Sequence, residues 1–455
     1  MSLAMTEDEI TLAIVQAIKE GKKNTVQDLL YELHPYDIAQ QYRHLPIKHR
    51  SKFLLSISLE QLTGFINELE KEEQLDILYK LGIEKTTEVL DLMENDDLAN
   101  LLTDLEPDKI EELLSGMKEE ESEIVQNLMN YPSETAGRIM NNRYVWIDEH
   151  YTVREAVDKL KDFAELAQYL NYLYVIDQDK KLVGVVSYKD LLLADLYDKI
   201  EDIMFSRVVK VDVLTDQEEV AKLIRRYDFV AMPVVEDDNH LVGIITVDDI
   251  IDVVIQEANE DIEKLSASGK AIDFNTKPWV AAYRRLPWLI LLLLIGLVSG
   301  SIIDGFSATI EKVIALTFFM PMIAGMTGNT GTQSLAVVVR GLVSKDLDFK
   351  ESLKLILREL WVGIIIGIIC AIMISIIAVV WKGKVIGLIV GSSLLLTLII
   401  GTLAGTIIPL VLYKFNVDPA VASGPLITTL NDILSLLIYF GIATMFISKY
   451  SEILL

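Results

Sequence analysis

The sequence has almost none of the side chains that build common catalytic and zinc sites. Its single cysteine, Cys370, lies in an apolar run, which excludes an intramolecular disulfide and a cysteine-based zinc site. The five histidines are scattered, and none stands in the His-Glu-x-x-His spacing of a zinc protease. No Gly-Lys-Ser or Gly-Lys-Thr run marks a phosphate-binding loop. We therefore predict that the protein is not an enzyme.

Basic residues are scarce in the first part of the chain. Residues 1–275 carry 28 Lys and Arg against 58 Asp and Glu, whereas residues 276–455 carry 13 against 9. The net charges are therefore −30 and +4. A dense field of carboxylates repels nucleic acid and raises the local concentration of cations. This pattern predicts a strongly acidic soluble region followed by a nearly neutral membrane region, and plain solubility is the other interpretation of the acidity.

Long apolar runs are confined to the second part. Each is long enough to cross about 30 Å of hydrocarbon, and the five lie at about 286–303, 313–335, 360–381, 388–412 and 426–447. Nothing at the N-terminus resembles a signal peptide, so we expect a cytoplasmic N-terminus and, after five crossings, an external C-terminus. Basic residues after the second run agree with this orientation, while Lys382 and Lys384 fall outside. The sequence predicts a multi-pass protein of the cell membrane.

The soluble region divides into a helical part and a repeat. Residues 5–132 have helical periodicity with short breaks, where His34-Pro35 and Glu106-Pro107 start new helices. This pattern predicts an all-α superhelical N-terminal regulatory domain. Residues 252–276 read as a connecting (plug) helix with a linker, and residues 277–455 as an all-α transmembrane domain of five helices.

An internal repeat occupies residues 133–251. The run Leu182–Leu191 matches Leu241–Ile250 at an offset of 59, and Ile139-Met140 matches Ile203-Met204 at an offset of 64. The difference falls in a helical stretch near 164–171. Each copy, at about 137–199 and 200–251, reads strand, helix, strand, turn, strand, helix. This α/β pattern resembles a tandem pair of cystathionine-β-synthase (CBS) domains, which implies a sensor of nucleotides or ions.

Asp432 is the only acidic residue deep inside a predicted crossing, and none of the five crossings contains a lysine or arginine. An unpartnered carboxylate there costs about 3 kcal/mol or more. Thr428, Ser435 and Tyr439 share its helix face by their spacing. That face is predicted to line a pore or to contact a partner helix. A structural carboxylate bonded to those hydroxyls is the alternative.

The second predicted crossing contains a polar segment at 321–334. Its proline and three glycines within eleven residues, Pro321, Gly325, Gly328 and Gly331, predict a kinked or partly unwound helix with free carbonyls. Such backbone survives in a membrane only where it lines a cavity or is buried in protein. Close helix packing through small residues is the alternative interpretation.

These motifs closely resemble those of the MgtE magnesium transporters. The resemblance is carried by Gly328–Gln333, by Asp418-Pro419, by Thr428–Asp432 with Leu436–Tyr439, and by the order of the domains. It implies a homodimeric, magnesium-selective channel in the lipid bilayer, whose pore lies between two membrane domains and in which each Asp432 binds hydrated Mg²⁺. Asp418 is implied as a further ligand, and the implied pore-lining residues are Gly328, Asn329, Thr332 and Thr428. Mg²⁺ sheds water reluctantly, so a few oxygen ligands around its water shell suit it.

The resemblance also implies cytosolic magnesium sites that draw the soluble domains together and close the pore. The implied ligands are carboxylates of the second CBS copy and the connecting helix, namely Glu218, Asp228, Asp249, Asp252, Glu257, Glu260 and Asp261. Asp96 and Asp97 are possible partners in the N-domain. Clustered like charges repel unless a divalent cation bridges them. A solvated acidic surface is the other interpretation.

CBS pairs commonly hold adenine nucleotides, so ATP is a possible co-regulator. Asp190 and Asp249 follow equivalent strands of the repeat and are placed to bind ribose hydroxyls. Tyr172 and Phe229 are candidates for stacking on a base. Asp190 fits the nucleotide role better, and Asp249 the metal role.

The sequence therefore predicts Mg²⁺ uptake that is closed by cytosolic Mg²⁺. The same oxygen ligands also suit Co²⁺ and Mn²⁺. A CBS-regulated channel for another ion, such as an anion, is a further alternative, but it requires basic residues at mid-membrane, and the predicted crossings have none. An enzyme or nucleotide sensor anchored in the membrane would not need Asp432.

Overall fold

The computed structural model describes residues 6–103, 105–163, 172–267, 272, 276–344, 348–415, 417–422 and 424–449. These residues form two compact units, Met1–Ile255 and Gln256–Leu455. The stretch near 164–171, which holds the length difference between the two copies of the repeat, and Lys345 lie outside the described residues.

The first part of unit one is entirely helical in the described residues, as the periodicity predicts. Ten helices follow one another: α1 (Glu7–Glu20), α2 (Lys23–Leu30), α3 (Pro35–His44), α4 (Ile47–Leu54), α5 (Leu59–Asn67), α6 (Lys71–Leu81), α7 (Ile83–Leu90), α8 (Asn95–Leu102), α9 (Pro107–Gly116) and α10 (Glu119–Asn130). Both predicted proline starts are confirmed: α3 and α9 begin at Pro35 and Pro107, where a missing N–H costs nothing. Their apolar stripes bury a core around Phe53 and Phe65.

The repeat forms two small sheets with equivalent topology in the described residues. The first copy contains α11 (Ala136–Ile139), β1 (Trp146–Asp148), α12 (Val153–Phe163), β2 (Tyr172–Ile176), β3 (Leu182–Ser187) and α13 (Tyr188–Leu193). The second contains α14 (Ile200–Ile203), β4 (Val211–Asp212), α15 (Gln217–Tyr227), β5 (Ala231–Glu236), β6 (His240–Thr246) and α16 (Val247–Leu265). In each sheet the first two strands are parallel and the last two antiparallel.

In each copy, a residue that precedes the first strand pairs with the last strand of the other copy's sheet. Asn141, ahead of the first copy's sheet, bridges Ile244 in β6, and Phe205 bridges Val185 in β3. This pairing explains one glycine in each copy. A Cβ at Gly184 would lie 2.5 Å from the sulfur of Met204, and one at Gly243 would lie 2.8 Å from that of Met140. The CBS-like pairing predicted from the repeat is therefore built symmetrically.

Unit two is helical throughout its described residues. Its long helices are α17 (Pro278–Gly305), α19 (Met320–Ser344), α20 (Phe349–Lys382), α21 (Lys384–Lys414) and α22 (Gly424–Lys449), and α18 (Ser307–Lys312) is short. Single 3-10 turns occupy Ile314–Phe318 and Pro419–Val421. The core lies where α19, α21 and α22 pack, around Tyr439 and Phe440.

Four helices in the described part, α17, α20, α21 and α22, are long and apolar enough to cross a membrane. They coincide with four of the five predicted crossings. The remaining one falls on α19, which is 25 residues long but does not meet this criterion. Its Gly, Thr, Asn and Gln residues reduce its mean hydropathy. The fifth crossing therefore stays a prediction.

The predicted kink in the second crossing is wrong. Helix α19 is continuous from Met320 to Ser344, because Pro321 lies in the first turn and leaves no internal hydrogen bond missing. The hydroxyls of Thr327 and Thr330 donate to carbonyls one turn back, at 2.8 and 2.9 Å. Gly328 and Gly331 permit close helix packing, which was the alternative interpretation, whereas Gly325 meets nothing within 4 Å.

Among the described glycines, the closest approach to another backbone involves Gly405 of α21, where an added Cβ would collide with the backbone carbonyl of Gly331. In an open helix site, Gly→Ala stabilises by up to about 1 kcal/mol. We expect Gly405→Ala to destabilise the protein by about 1–3 kcal/mol instead, because neither backbone can yield without parting the helices. The thermal midpoint of the purified full chain measures this. Gly441→Ala, which meets nothing within 4 Å, is the matched control. Equal midpoints for the two variants would contradict the close approach.

Candidate functional site

Helix α22 holds Asp432 half-buried. The hydroxyls on the same face bond elsewhere: Ser435 donates to the backbone carbonyl of Asp432 at 2.9 Å, and Tyr439 donates to that of Leu316 at 2.8 Å. Thr428 donates to a carbonyl of its own helix at 2.9 Å. Among the described residues, the Asp432 carboxylate has no ion-pair or hydrogen-bond partner. The alternative of a carboxylate bonded to these hydroxyls therefore does not hold.

Three of the predicted pore-lining residues are divided between two faces of α19, and the fourth, Thr428, lies on α22. Gly328 is buried against Thr428, whose methyl carbon would lie 3.2 Å from an added Cβ. Asn329 is exposed, and Thr332 is half-buried and donates to the Asn329 carbonyl at 2.9 Å. The structure therefore brings Gly328 and Thr428 together as a helix contact, while Asn329 lies on an open face.

The open face of α19 is polar in the middle of the helix. Gly325, Asn329 and Gln333 recur at helical spacing and are all exposed. Amide side chains facing hydrocarbon leave donors and acceptors unpaired, which costs free energy. This face is therefore suited to water or to a second polypeptide rather than to lipid.

Unit one contains a cluster of carboxylates where α8 meets the start of α16. Glu94, Asp96 and Asp97 on the first side interact electrostatically with Asp249 on the other, and Asp248 and Asp252 belong to the same cluster. Asp96 is 7% exposed, and its Oδ1 atom is buried without a hydrogen-bond partner. Burial and like charge together make this cluster unfavourable when all its members are ionised.

The pKa values within the cluster record this cost. The side chain of Asp97 is exposed on one side, where it accepts from Asn67 at 3.2 Å. Desolvation by the surrounding atoms, followed by repulsion from Glu94 and Asp249, raises the pKa of Asp97 to about 7. Burial raises the pKa of Asp249 to about 6, although Thr246 donates to its carboxylate. The pKa of Asp96 is raised well above its ordinary value, first by burial and then by Asp249. Protons, or a bound cation, would relieve the repulsion.

The other predicted metal ligands of the CBS region are more open. Glu218 is paired with Lys222 at 2.9 Å, one turn along α15. Asp228 is exposed and ends that helix in the left-handed conformation, with φ of 54°. Asp252 is exposed on α16. In the part of the chain that the structure describes, no three His, Cys, Asp or Glu side chains form a ready metal-binding group.

The last turn of the connecting helix, α16, contains a lysine that pairs with two carboxylates. Lys264 Nζ lies 2.6 Å from Glu260 and 2.6 Å from Asp418, two of the predicted metal ligands. Desolvation lowers the pKa of Lys264, but the hydrogen bonds to Asp418 and Glu260 outweigh it and raise that pKa. Glu257 and Asp261 lie half-buried on the same helix.

The candidate nucleotide residues lie in both copies of the repeat. Tyr172 pairs with Ser187 across β2 and β3, and the Ser187 hydroxyl donates to Asp190 at 2.5 Å. Tyr172 and Asp190 therefore lie close together in the first copy. Phe229 belongs to the second copy, where it stacks on Tyr227 with centroids 5.3 Å apart.

Sequence reasoning missed three functional candidates. Glu94 could have been found from the acidic run that it opens before α8. Lys264 is the basic residue in the last turn of α16, the position that favours a cation at a helix end. Glu359 was placed just outside the predicted third crossing, yet it is 4% exposed inside α20. Only the packing reveals that Glu359 is buried.

Comparison with known families gives three matches along the chain. A model described as a divalent cation transporter matches residues 320–442, and one described as the MgtE intracellular N domain matches 33–134. The CBS domain model matches 136–197 and 200–256. The matches follow the domain order seen in the fold.

Comparison with curated proteins finds full-length relatives. The chain is 58% identical over 444 residues to the magnesium transporter MgtE of Bacillus subtilis, covering 97% of this chain and 98% of the relative. It is 42% identical to the MgtE of Enterococcus faecalis and 35% identical to that of Thermus thermophilus, with at least 96% of each chain covered.

Two solved structures match the soluble part. The crystal structure of the soluble part of a magnesium transporter is 37% identical, with a TM-score of 0.53, and covers 56% of this chain and 100% of that one. The cytosolic domain of the Mg²⁺ channel MgtE in complex with ATP is 33% identical, with a TM-score of 0.51, and covers 53% and 99%.

The carboxylate cluster makes stability depend on pH. Because the pKa of Asp97 is raised in the folded state, the contribution of this group to stability is fully present below about pH 4 and is lost as the pH rises through about 7. Asn cannot ionise. In chelator at pH 8 we expect Asp97→Asn to stabilise the full chain by about 1 kcal/mol or less, because Asp97 is exposed and water screens the repulsion. The gain should shrink toward pH 4.

Thermal unfolding of the purified chain at both pH values measures this effect. Asp28→Asn, at an exposed position of α2, is the matched control and should change little. A variant at Asp97 that is no more stable than the control at pH 8 would contradict the repulsion.

Proposed function

This chain belongs to the MgtE family of magnesium transporters, and from that premise we propose how its residues conduct and regulate the ion. It is a multi-pass membrane protein that mediates Mg²⁺ uptake, and its function is transport rather than catalysis. Unit one senses the ion, and unit two conducts it.

Asp432 binds the passing ion. The observation that carries this proposal is its half-buried carboxylate on a membrane helix, with neighbouring hydroxyls bonded elsewhere and no counter-charge among the described residues. Such a group is tolerated where it meets water or a cation. Mg²⁺ keeps most of its water shell, so a few carboxylates around that shell bind it without a closed protein cage.

Two copies of the chain form the pathway. The exposed amide face of α19, with Asn329 and Gln333, requires a polar environment, and a second copy supplies one by placing two such faces around water. A homodimer also supplies two Asp432 carboxylates to one ion. Thr332 and the Gly328–Thr428 helix contact lie beside this face and hold α19 in position. The N-terminus is cytoplasmic and, with five crossings, the C-terminus is external.

Cytosolic Mg²⁺ closes the channel through the carboxylate clusters. Raised pKa values at Asp97 and Asp249 support this proposal, because desolvation and then mutual repulsion disfavour the ionised carboxylates, and a cation that bridges α8 and α16 would stabilise the ionised form. Asp252 belongs to this cluster, and Glu218 and Asp228 supply further carboxylates on and just after α15. At low Mg²⁺ the repulsion loosens the N-domain from the CBS pair, and at high Mg²⁺ the bridging ions draw them together.

The connecting helix responds to the same signal. Glu257 and Asp261 offer carboxylates on α16, and Glu260 and Asp418 offer two more. Lys264 already neutralises the second pair at 2.6 Å from each. Mg²⁺ therefore binds Glu260 and Asp418 only when the Lys264 ammonium moves away, which makes that pair a weaker site than the cluster at Asp97.

An adenine nucleotide binds the CBS pair as a co-regulator. The ATP complex of a relative's cytosolic domain supports this. Tyr172 stacks on the base and Asp190 accepts from ribose hydroxyls in the first copy, while Phe229, two residues before β5, is the stacking residue of the second. We assign Asp249 to the metal site and not to the nucleotide site.

Other divalent cations are the second candidate cargo. The matching membrane model is described as a divalent cation transporter, and oxygen ligands also suit Co²⁺ and Mn²⁺. Competition of these ions with Mg²⁺ in the flux assay below distinguishes the two.

Removing the Asp432 carboxylate tests the transport proposal. We expect Asp432→Ala to reduce Mg²⁺ flux into liposomes at least about 100-fold, since a charged ligand in a low-dielectric site is worth several kcal/mol. Fluorescent detection of Mg²⁺ inside the vesicles measures this. Asp304→Ala, at an exposed position of α17, should retain flux. A folded Asp432→Ala protein with ordinary flux would remove Asp432 from the pathway.

Removing the Asp190 carboxylate tests the nucleotide proposal. Asp190→Ala should weaken ATP binding to the purified full chain about tenfold, the usual effect of losing a charged hydrogen-bond partner. Isothermal titration calorimetry measures the dissociation constant. Asp179→Ala, at an exposed turn of the same copy, should bind ATP as the parent does. Equal binding by both variants would exclude Asp190 from the site.

A further inference from the structure

Helix α20 contains a buried carboxylate that the transport pathway does not use. Glu359 is 4% exposed, and both of its oxygens are engaged. Oε2 accepts from the hydroxyl of Ser334 on α19 at 3.0 Å, and Oε1 accepts from the guanidinium of Arg358 at 2.8 Å. Because Arg358 supplies the counter-charge, Glu359, unlike Asp432, is already neutralised by a neighbouring side chain.

The Glu359–Ser334 hydrogen bond is buried at both ends. Ser334 is also 4% exposed, so neither group exchanges its partner for water without opening the helices. Hydrogen bonds to an ionised group are roughly twice as strong as neutral ones. The contact is therefore a strong and directional link from α20 to α19.

A second polar contact lies on the same side of α19. Asn431 of α22 is fully buried and donates from Nδ2 to the backbone carbonyl of Thr327 at 3.4 Å. Thr327 precedes Ser334 by seven residues, which is two helical turns, so both lie on one face. Helix α19 is thus held on this face from α22 and from α20.

The face of α19 that contains Thr327 and Ser334 and the open face that contains Asn329 point in different directions. Asn329 and Ser334 differ by five residues, or about 140° of rotation. A link at Ser334 therefore fixes the rotation of α19 and with it the direction in which Asn329 points. The glycine contacts of α19 set its distance from α21 and α22, but small residues resist rotation less than a directional hydrogen bond does.

We propose that Glu359 is a positioning residue for ion permeation, which acts through Ser334 to hold the Asn329 face of α19 toward the pathway. The assignment rests on the proposed function, in which that face lines the pore. It predicts that loss of the link turns the face and alters both its access to water and the selectivity of transport.

The chain's single cysteine permits a direct test. Cys370→Ala with Asn329→Cys gives a full-length protein with one thiol on the open face of α19. In liposomes, the rate at which a water-soluble maleimide modifies this thiol reports the orientation of the face. The ratio of Mg²⁺ to Ca²⁺ flux, measured without the cysteine, reports selectivity.

Added to each background, Glu359→Ala and Ser334→Ala should change the labelling rate about tenfold, the equivalent of one charge-assisted hydrogen bond. Both should also reduce the flux ratio. Glu359→Gln keeps an acceptor for the Ser334 hydroxyl and should restore most of both values. Glu351→Ala, exposed in the first turn of α20, is the matched control.

Each outcome decides the assignment. If Glu359→Ala does not fold, Ser334→Ala, a smaller change, decides alone. A labelling rate or a flux ratio that stays at the control value in the folded variants overturns the positioning role and leaves the proposed function intact. A thiol that is unreactive in the parent background overturns the pore-facing assignment of α19, and the positioning role with it.

Discussion

The main energetic constraint on the membrane part is the free-energy cost of holding the Asp432 carboxylate inside a helix with no partner among the described residues. Asp432 is half-buried on α22, and the hydroxyls of Ser435 and Tyr439 donate to backbone carbonyls rather than to it. Folding leaves that cost in place, and the proposed function assigns water and a cation to meet it. Close packing at Gly331 and Gly405 brings α19 against α21 and α22.

The same electrostatic constraint operates in the soluble unit. Burial and like charge raise the pKa of Asp97 to about 7 and that of Asp249 to about 6, so ionising these carboxylates together is unfavourable. Lys264 shows the opposite arrangement, because its ammonium neutralises Glu260 and Asp418. The chain thus contains carboxylates that repel one another and others that are paired with a lysine.

Much of the fold could be predicted because it is encoded in local patterns. Proline starts and apolar periodicity identified the N-domain helices, and the repeat identified the CBS pair. The kink predicted at 321–334 was wrong, since the glycines there serve helix packing and Pro321 lies in the first turn. Small residues are compatible with an unwound helix or with a closely packed one, and only the neighbouring helix distinguishes the two.

The sequence by itself determined the domain order, the acidic and membrane halves, and the exceptional position of Asp432, because charge and hydropathy are properties of the residues alone. The tertiary structure decided which carboxylates meet. It joined Asp97 to Asp249 across about 150 residues, paired Lys264 with Asp418, and buried Glu359 against Ser334. Burial and proximity arise from packing between distant segments, and no local pattern encodes them.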